Sequence, residues 1–354
     1  MSRVLMKGNE AIAVAAIKGG CDAFFGYPIT PQNEIPEYLS KHMKANGKVF
    51  LQAESEIASI NMVYGAAGAG ARVMTSSSSP GIALMQEGIT YLAGAELPCV
   101  IVNVMRGGPG LGGIQPAQSD YNQITRGGGN GDYNVMSYAP ENLQETVDII
   151  KGAFDTADYY RNPVMIAVDG LIGQMMEPVD LDKASQKRVM PAKDWAASGG
   201  HTGKDRRVIT SLYLDPKQLE EHNLKLYRKY QEIIKNEQKY ELINVKDAEY
   251  LIVAYGTMAR ICRSSIEILR EEGIKVGMIR PITIWPFPEK AFKDLSKNLK
   301  EILVCELSLG QMIQDVKLSV EGRYPVSFFG RTGGMLPEPE DIVRALKKII
   351  KGEE

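Results

Sequence analysis

Cysteine is scarce and scattered. The 354 residues hold four, Cys21, Cys99, Cys262 and Cys305, with no C-x-x-C pair. Iron–sulfur clusters and zinc ribbons need clustered thiolates, so this spacing supports neither. The four thiols read as small apolar groups destined for burial. Histidine is scarcer still: His42, His201 and His222 show no metal-ligand spacing. No apolar run approaches the roughly 20 residues that span a bilayer. The opening residues, Met1-Ser2-Arg3-Val4-Leu5-Met6-Lys7, lack the apolar core of a secretion signal. A cytoplasmic location is the default expectation. An excess of either charge is also missing. The formal net charge of −2 argues against nucleic acid or an anionic membrane as the main partner. There is no Walker A sequence, internal repeat or low-complexity tract.

What is present suits a globular α/β protein. At ~150 residues per domain the length predicts about two domains. Hydrophobic residues at 44% and charged residues at 24% are ordinary for a folded chain. Asn9 is placed to cap a helix over 10–18, with Gly19-Gly20 as its stop. Strands are predicted at 23–25, 49–52, 73–76, 99–105 and 164–168. Helices are predicted from Pro31 to about 43 and over 56–71, 82–93 and 141–159. Strands separated by helices imply a parallel sheet covered on both faces.

From 171 to 203 the pattern dissolves. Residues 217–240 then predict a charged amphipathic helix with Leu219, Leu226, Tyr230 and Ile233 near helical spacing. A second alternating block follows. It has strands at 251–254, 275–279, 302–305 and 326–329 and helices at 258–271 and 338–351. Trp285-Pro286-Phe287-Pro288 reads as a rigid turn. The expected division is 1–240, with 171–240 as connector and covering helix, and 241–354.

The most informative stretch is Gly26-Tyr27-Pro28-Ile29-Thr30-Pro31, followed by Gln52-Ala53-Glu54-Ser55-Glu56. Pro28 and Pro31 fix φ and restrict the residues before them. Thr30 before Pro31 has the form of an N-cap with proline at the first helical position. Such a helix start would suit an anion, for instance a substrate carboxylate. Glu54 and Glu56 read either as partners of a helix dipole or as carboxylates offered at a sheet edge. Arg106 ends an apolar strand, and its planar fork suits bidentate binding of a carboxylate or phosphate. Thr30, Glu56, Ser77-Ser78-Ser79 and Arg106 all fall at predicted C-terminal strand ends.

Gly108-Pro109-Gly110-Leu111-Gly112-Gly113 formally fits the dinucleotide fingerprint G-x-G-x-x-G. It follows the fourth predicted strand rather than the first, Pro109 removes a useful N–H, and no helix is predicted directly behind it. With Gly127-Gly128-Gly129-Asn130-Gly131 it reads instead as a long mobile loop, a lid or a contact surface.

Taken together, these residues resemble the 2-oxoacid:ferredoxin oxidoreductases over nearly the whole chain. The carriers are Tyr27-Pro28-Ile29-Thr30-Pro31, Glu56 with its Gly/Ala-rich helix, the turn at 75–81, and Arg106. Residues 1–240 resemble the pyrimidine-binding domain of these thiamine-diphosphate enzymes. Residues 251–288 resemble their transketolase C-terminal-like domain, through Ala254-Tyr255-Gly256-Thr257 and Ile284-Trp285-Pro286-Phe287-Pro288. Ala95-Glu96-Leu97-Pro98 and residues 107–113 and 126–133 are closest to the alpha-type subunit of the branched-chain (3-methyl-2-oxobutanoate) enzymes.

The resemblance implies roles. Glu56 would be the catalytic carboxylate that hydrogen-bonds N1′ of the cofactor's aminopyrimidine. Pro28 would pack near that ring. Thr30 and Arg106 would hold the substrate carboxylate. The family's Gly-Asp-Gly motif for Mg²⁺ and diphosphate is missing, and the nearest match is Gly131-Asp132-Tyr133. Thiamine diphosphate would therefore be shared with a beta-type subunit that supplies the Mg²⁺ and diphosphate site and carries an iron–sulfur cluster. Gamma-type and ferredoxin-like delta-type subunits would complete the complex, with ferredoxin, CoA and a 2-oxoacid as reactants. Pyruvate and 2-oxoglutarate are alternative substrates. A non-catalytic scaffold and a nicotinamide-dependent dehydrogenase are the readings from other classes.

Overall fold

The computed structural model describes residues 3–183, 188–199 and 206–353. His201 lies outside them. The first part of the chain runs β1 (Val4–Lys7), α1 (Gly8–Lys18), β2 (Ala23–Gly26), α2 (Glu34–His42), β3 (Val49–Gln52), α3 (Glu56–Gly68), β4 (Val73–Ser77), α4 (Ser79–Leu84), α5 (Gln86–Gly94), β5 (Cys99–Met105), α6 (Tyr121–Arg126), β6 (Met136–Tyr138), α7 (Leu143–Tyr160), β7 (Pro163–Asp169), α8 (Gly170–Gln174), β8 (Met176–Val179) and α9 (Pro216–Asn236). The remainder runs β9 (Tyr240–Ile243), β10 (Tyr250–Val253), α10 (Gly256–Glu271), β11 (Val276–Pro281), β12 (Thr283–Trp285), β13 (Glu301–Glu306), α11 (Met312–Val320), β14 (Val326–Gly330) and α12 (Pro339–Lys351).

Among the described residues, seven strands form the first sheet in the order β12-β6-β7-β5-β4-β2-β3, and five form the second in the order β14-β13-β10-β11-β9. The first sheet is parallel except for β12, which runs antiparallel to β6. In the second, β9 is the antiparallel member. β4, β5 and β7 are buried along their whole length; β5 and β7 read as mainly apolar runs, while β4 turns polar at Thr75-Ser76-Ser77.

Alternation along β5 sorts the cores. Val100, Val102 and Val104 join Ile12, Leu39, Val147 and Ile150 on one face. Ile101 and Met105 join Ile60, Val63, Ile89 and Leu92 on the other. That second cluster continues into Leu251, Val253, Ile302 and Val304, so the two sheets share one core. Helices α10 and α12 cover the far face of the second sheet through Cys262, Ile266, Ile342 and Leu346. All four cysteines are buried and free, and burial pushes the Cys21 thiol up to about 12.

Several expectations are corrected. Asn9 does not cap α1. It sits fully buried in the first turn, and its Nδ2 donates to Pro31 O at 2.7 Å and Glu34 Oε2 at 2.7 Å. The predicted helix 82–93 is two helices that break at Met85. Within 171–203, α8 and β8 are regular, and β8 pairs antiparallel with β1. The covering helix α9 ends at Asn236, and β9 follows where more helix was expected. Trp285 belongs to a strand, not only to a turn. Through β12 the second part of the chain returns a strand to the first sheet. These short strands are specified by pairing across the chain, which leaves no period in a local window.

Candidate active site

A parallel sheet brings the C-terminal ends of β2, β3, β4, β5 and β7 to one edge, and each ends in a different polar group. After β2 the chain turns through Pro28 and Thr30, both exposed. Helix α2 starts only at Glu34, so Thr30 is not its N-cap and Pro31 is not its first residue. Side chains fix this turn instead. Gln32, fully buried, donates to Tyr27 O at 3.2 Å and accepts from Ser76 Oγ at 2.6 Å. Asn9 and Gln174 both donate to Pro31 O, at 2.7 and 3.1 Å.

After β3, Ser55 caps α3 by accepting the Ala58 N–H at 3.1 Å. The helix onset turns the two glutamates apart: Glu54 is exposed and Glu56 is buried. The Glu56 side chain lies against Gly81 and Ser77. A Cβ at Gly81 would come within 2.6 Å of Glu56 Oε1 and 2.1 Å of Ser77 Oγ, so only glycine fits there. Among the described residues no donor reaches the Glu56 carboxylate. Nearby, the buried hydroxyls of Thr75, Ser77 and Ser78 also lack partners. A buried polar group normally has one, so this edge is arranged for a polar ligand.

Arg106, just after β5, is buried. Its Nη1 donates to Thr30 O at 2.8 Å and its Nη2 to Leu111 O at 3.1 Å, while Nε has no partner. Two of its five N–H donors are thus spent on carbonyls and three remain. Thr30 meets Arg106 through its backbone, not its hydroxyl. The Arg106 N–H donates to Ser79 Oγ at 3.0 Å, and Ser79 Oγ donates to Asp120 Oδ2 at 2.6 Å. Asn103 Nδ2 also reaches Asp120 Oδ2, at 2.9 Å. Burial pushes the Asp120 carboxyl up, against the pull of Ser79, Asn103 and Arg106. Asp120, Gln32 and Asn103 escape a reading of the sequence. The usable signal for Asp120 is its place immediately before the short helix α6.

The first glycine loop folds on itself. Gly113 N donates to Gly107 O at 2.8 Å, and Gly107 N donates to Gln115 O at 2.9 Å. Those amides are not free to cradle a phosphate. In the second loop, Gly128 N donates to Gln86 Oε1 at 3.1 Å, and Asn130 O accepts from Thr90 Oγ1 at 2.6 Å. Asp132 precedes β6 at the opposite edge of the sheet from Glu56. Among the described residues no group of three His, Cys, Asp or Glu side chains is placed to hold a metal. No described helix is long and apolar enough to cross a membrane.

This fold class, two α/β units with a polar C-terminal sheet edge, is that of thiamine-diphosphate enzymes. It superposes on a split-gene transketolase with a TM-score of 0.60 over 99% of both chains, at 13% identity, a likeness of fold alone. Residues 14–242 match the family described as pyruvate flavodoxin/ferredoxin oxidoreductase, thiamine-diphosphate-binding, and residues 248–342 match its core domain II. The chain belongs to this family as an alpha-type 2-oxoacid:ferredoxin oxidoreductase subunit, a catalytic oxidoreductase subunit that requires partner subunits.

A ketoisovalerate oxidoreductase subunit VorB from Methanothermobacter marburgensis is 47% identical over 99% of this chain and 98% of its own length. A 2-oxoglutarate synthase subunit KorA from Methanocaldococcus jannaschii is 37% identical over 96% of this chain and 98% of its own. The 2-oxoglutarate:ferredoxin oxidoreductase from Magnetococcus marinus has a TM-score of 0.88 at 28% identity. This chain is covered to 99% and spans 65% of that longer chain.

The residues at the sheet edge fit half of thiamine diphosphate. The buried Glu56, which no donor reaches among the described residues, lies beside a glycine that admits no Cβ and three hydroxyls without partners there, and this suits a polar aromatic ring. Among the described residues no acidic cluster suits Mg²⁺ and diphosphate.

Proposed function

We propose that this chain is the alpha-type subunit of a heteromeric enzyme that converts a branched-chain 2-oxoacid, CoA and oxidised ferredoxin to acyl-CoA, CO₂ and reduced ferredoxin. The supporting observation is a pair of buried residues of opposite charge on one sheet edge: among the described residues Glu56 accepts from no donor, and Arg106 meets no carboxylate within ion-pair distance and keeps Nε without a partner. When bound, thiamine diphosphate supplies the nucleophilic carbon and the electron sink. Glu56 would hold a proton shared with N1′ of its pyrimidine, in a site dry enough for that proton to matter. Pro28 would wall the ring. Arg106, with its three remaining donors, and Thr30 would orient the carboxylate that departs as CO₂. Binding that carboxylate too tightly would only deepen the ground state, and two carbonyls already share the guanidinium.

In this reading a beta-type subunit brings the Mg²⁺ and diphosphate site and an iron–sulfur cluster, and gamma-type and ferredoxin-like delta-type subunits complete the assembly. The branched-chain assignment is supported by 47% identity to a ketoisovalerate subunit, against 37% to a 2-oxoglutarate one. A cytoplasmic location belongs to this reading and is supported by CoA and ferredoxin as its reactants. We divide the chain near residue 240, where the second sheet begins.

Calorimetry tests the split site. The isolated chain should bind thiamine diphosphate weakly, and adding the beta-type partner should restore Mg²⁺-dependent binding. Tight binding by the chain alone would sink the shared-site reading.

A further inference from the structure

Beside Thr30 lies a cleft of about 480 Å³ that is not the polar edge itself. Thr30 and Pro31 form one wall. Ile114 and Pro116 of the first glycine loop, Leu171 of α8 and Leu336 of the second α/β unit supply the apolar surface. Gly170 also lines it, and a Cβ there would meet Pro31 Cγ at 3.2 Å and Pro116 Cα at 3.7 Å. The cleft and the Arg106 clamp share Thr30, whose carbonyl Arg106 holds at 2.8 Å.

Charge decides what can enter. Among the described residues no Lys, Arg or His lines the cleft, and the one ionisable lining group is Glu34, beside the neutral amides of Asn33, Gln115 and Gln174. Burial alone would raise the Glu34 carboxyl. Hydrogen bonds from Lys7, Asn9 and Gln174 outweigh it and hold the group below the usual carboxylate range. Lys7 is engaged by that ion pair at 2.6 Å. The second carboxylate of a dicarboxylic 2-oxoacid would meet a like charge here and no free cation. A desolvated carboxylate without a partner is strongly disfavoured. An aliphatic tail meets proline, leucine and isoleucine instead.

We infer that this cleft is the subsite for the aliphatic side chain of the 2-oxoacid, and that Leu171 and the absence of a cation there set the selectivity against dicarboxylic substrates. The inference rests on the functional reading above and deepens it.

The test uses the assembled enzyme and three substrates, 3-methyl-2-oxobutanoate, pyruvate and 2-oxoglutarate. Leu171→Arg places a cation in the cleft. It should raise the kcat/KM ratio of 2-oxoglutarate to 3-methyl-2-oxobutanoate by about tenfold or more. Leu171→Phe shrinks the cleft. It should lower the ratio of 3-methyl-2-oxobutanoate to pyruvate by about 10- to 200-fold, the worth of a methylene-sized misfit. Both readouts are ratios within one preparation, so partial misfolding does not affect them. An active enzyme whose ratios stay unmoved in both variants would overturn the subsite while leaving the reaction class standing. A wild-type assembly inactive on all three oxoacids would overturn the functional reading and the subsite with it.

Discussion

Arg106 and Arg280 are both buried arginines, and their surroundings differ in kind. Arg280 on β11 is met by three carboxylates: Glu145 at 2.9 Å, Glu241 at 2.8 Å and Glu141 at 3.6 Å. Arg263 shares two of them. This cluster joins α7 of the first unit to β9, β11 and α10 of the second. Among the described residues the Arg106 guanidinium donates to two carbonyls and keeps Nε bare. Buried glutamates divide the same way. Glu306, at the end of β13, accepts from Ser308 Oγ and from the amides of Gln311, Met312 and Ile313 at 2.9–3.0 Å. Glu56 accepts from nothing among the described residues. A buried charge with a full set of partners is part of the scaffold. One left short of partners is where the proposed ligands would supply the missing partner, because the fold alone does not offset its desolvation.

Substitutions can break this contrast. The largest effect is expected at Glu56. With the beta-type partner present, Glu56→Gln should slow C2-proton exchange of thiamine diphosphate, followed by NMR, by about 10²–10⁴-fold. The melting temperature should barely change, since no donor among the described residues loses its acceptor. Glu54→Gln, on the exposed neighbour, should matter far less. A larger loss in Glu54→Gln would mean that the burial contrast had picked the wrong carboxylate.

Arg280→Ala should do the reverse and damage stability. Removing one partner from a buried charge cluster costs about 3–5 kcal/mol; Glu145 would lose its arginine, while Glu141 and Glu241 would keep Arg263. Urea unfolding would measure the loss. A midpoint matching the wild type would show that the cluster is hydrated and does not join the units.

Arg106→Ala should cost less stability than Arg280→Ala, since only the Thr30 and Leu111 carbonyls lose a donor, and should lower kcat/KM for 2-oxoacids. A charge-assisted hydrogen bond is worth roughly 1.5–3 kcal/mol, or about one to two decades in rate at ~1.4 kcal/mol per decade. Unchanged kinetics together with lost stability would move Arg106 into the same class as Arg280.

The smallest expected effect is on acid sensitivity. Burial would raise the Glu241 carboxyl, but Arg263 and Arg280 outweigh it and hold the group below its ordinary range. A carboxyl lowered on folding stabilises the native state above its unfolded value, and that stabilisation fades as pH falls through the folded value. Glu241→Gln should therefore flatten the fall in stability between about pH 6 and pH 3. A slope identical to wild type would show that Glu241 does not couple to the arginines.

Much of this was legible in the sequence. The mainly apolar runs of β5 and β7 and the periodic helices α7 and α10 are set by local composition, so their order already gave parallel α/β architecture. The strand-end positions of Glu56 and Arg106 followed from that order, because each closes an apolar strand or opens the next helix. The missing cysteine clusters and Gly-Asp-Gly motif were equally plain.

Other features belong to the tertiary structure alone. Asn9, Gln32 and Gln174 hold the turn at Thr30 from places 21 or more residues away in two cases, so its geometry cannot be read as a helix cap. Strands β1, β8, β9 and β12 exist because a distant partner offers them hydrogen bonds. Above all, sequence lists charges but does not say which find counterions. That Arg280 is neutralised and Arg106 is not depends on where separate strands and helices bring their side chains in space, and long-range packing alone decides that.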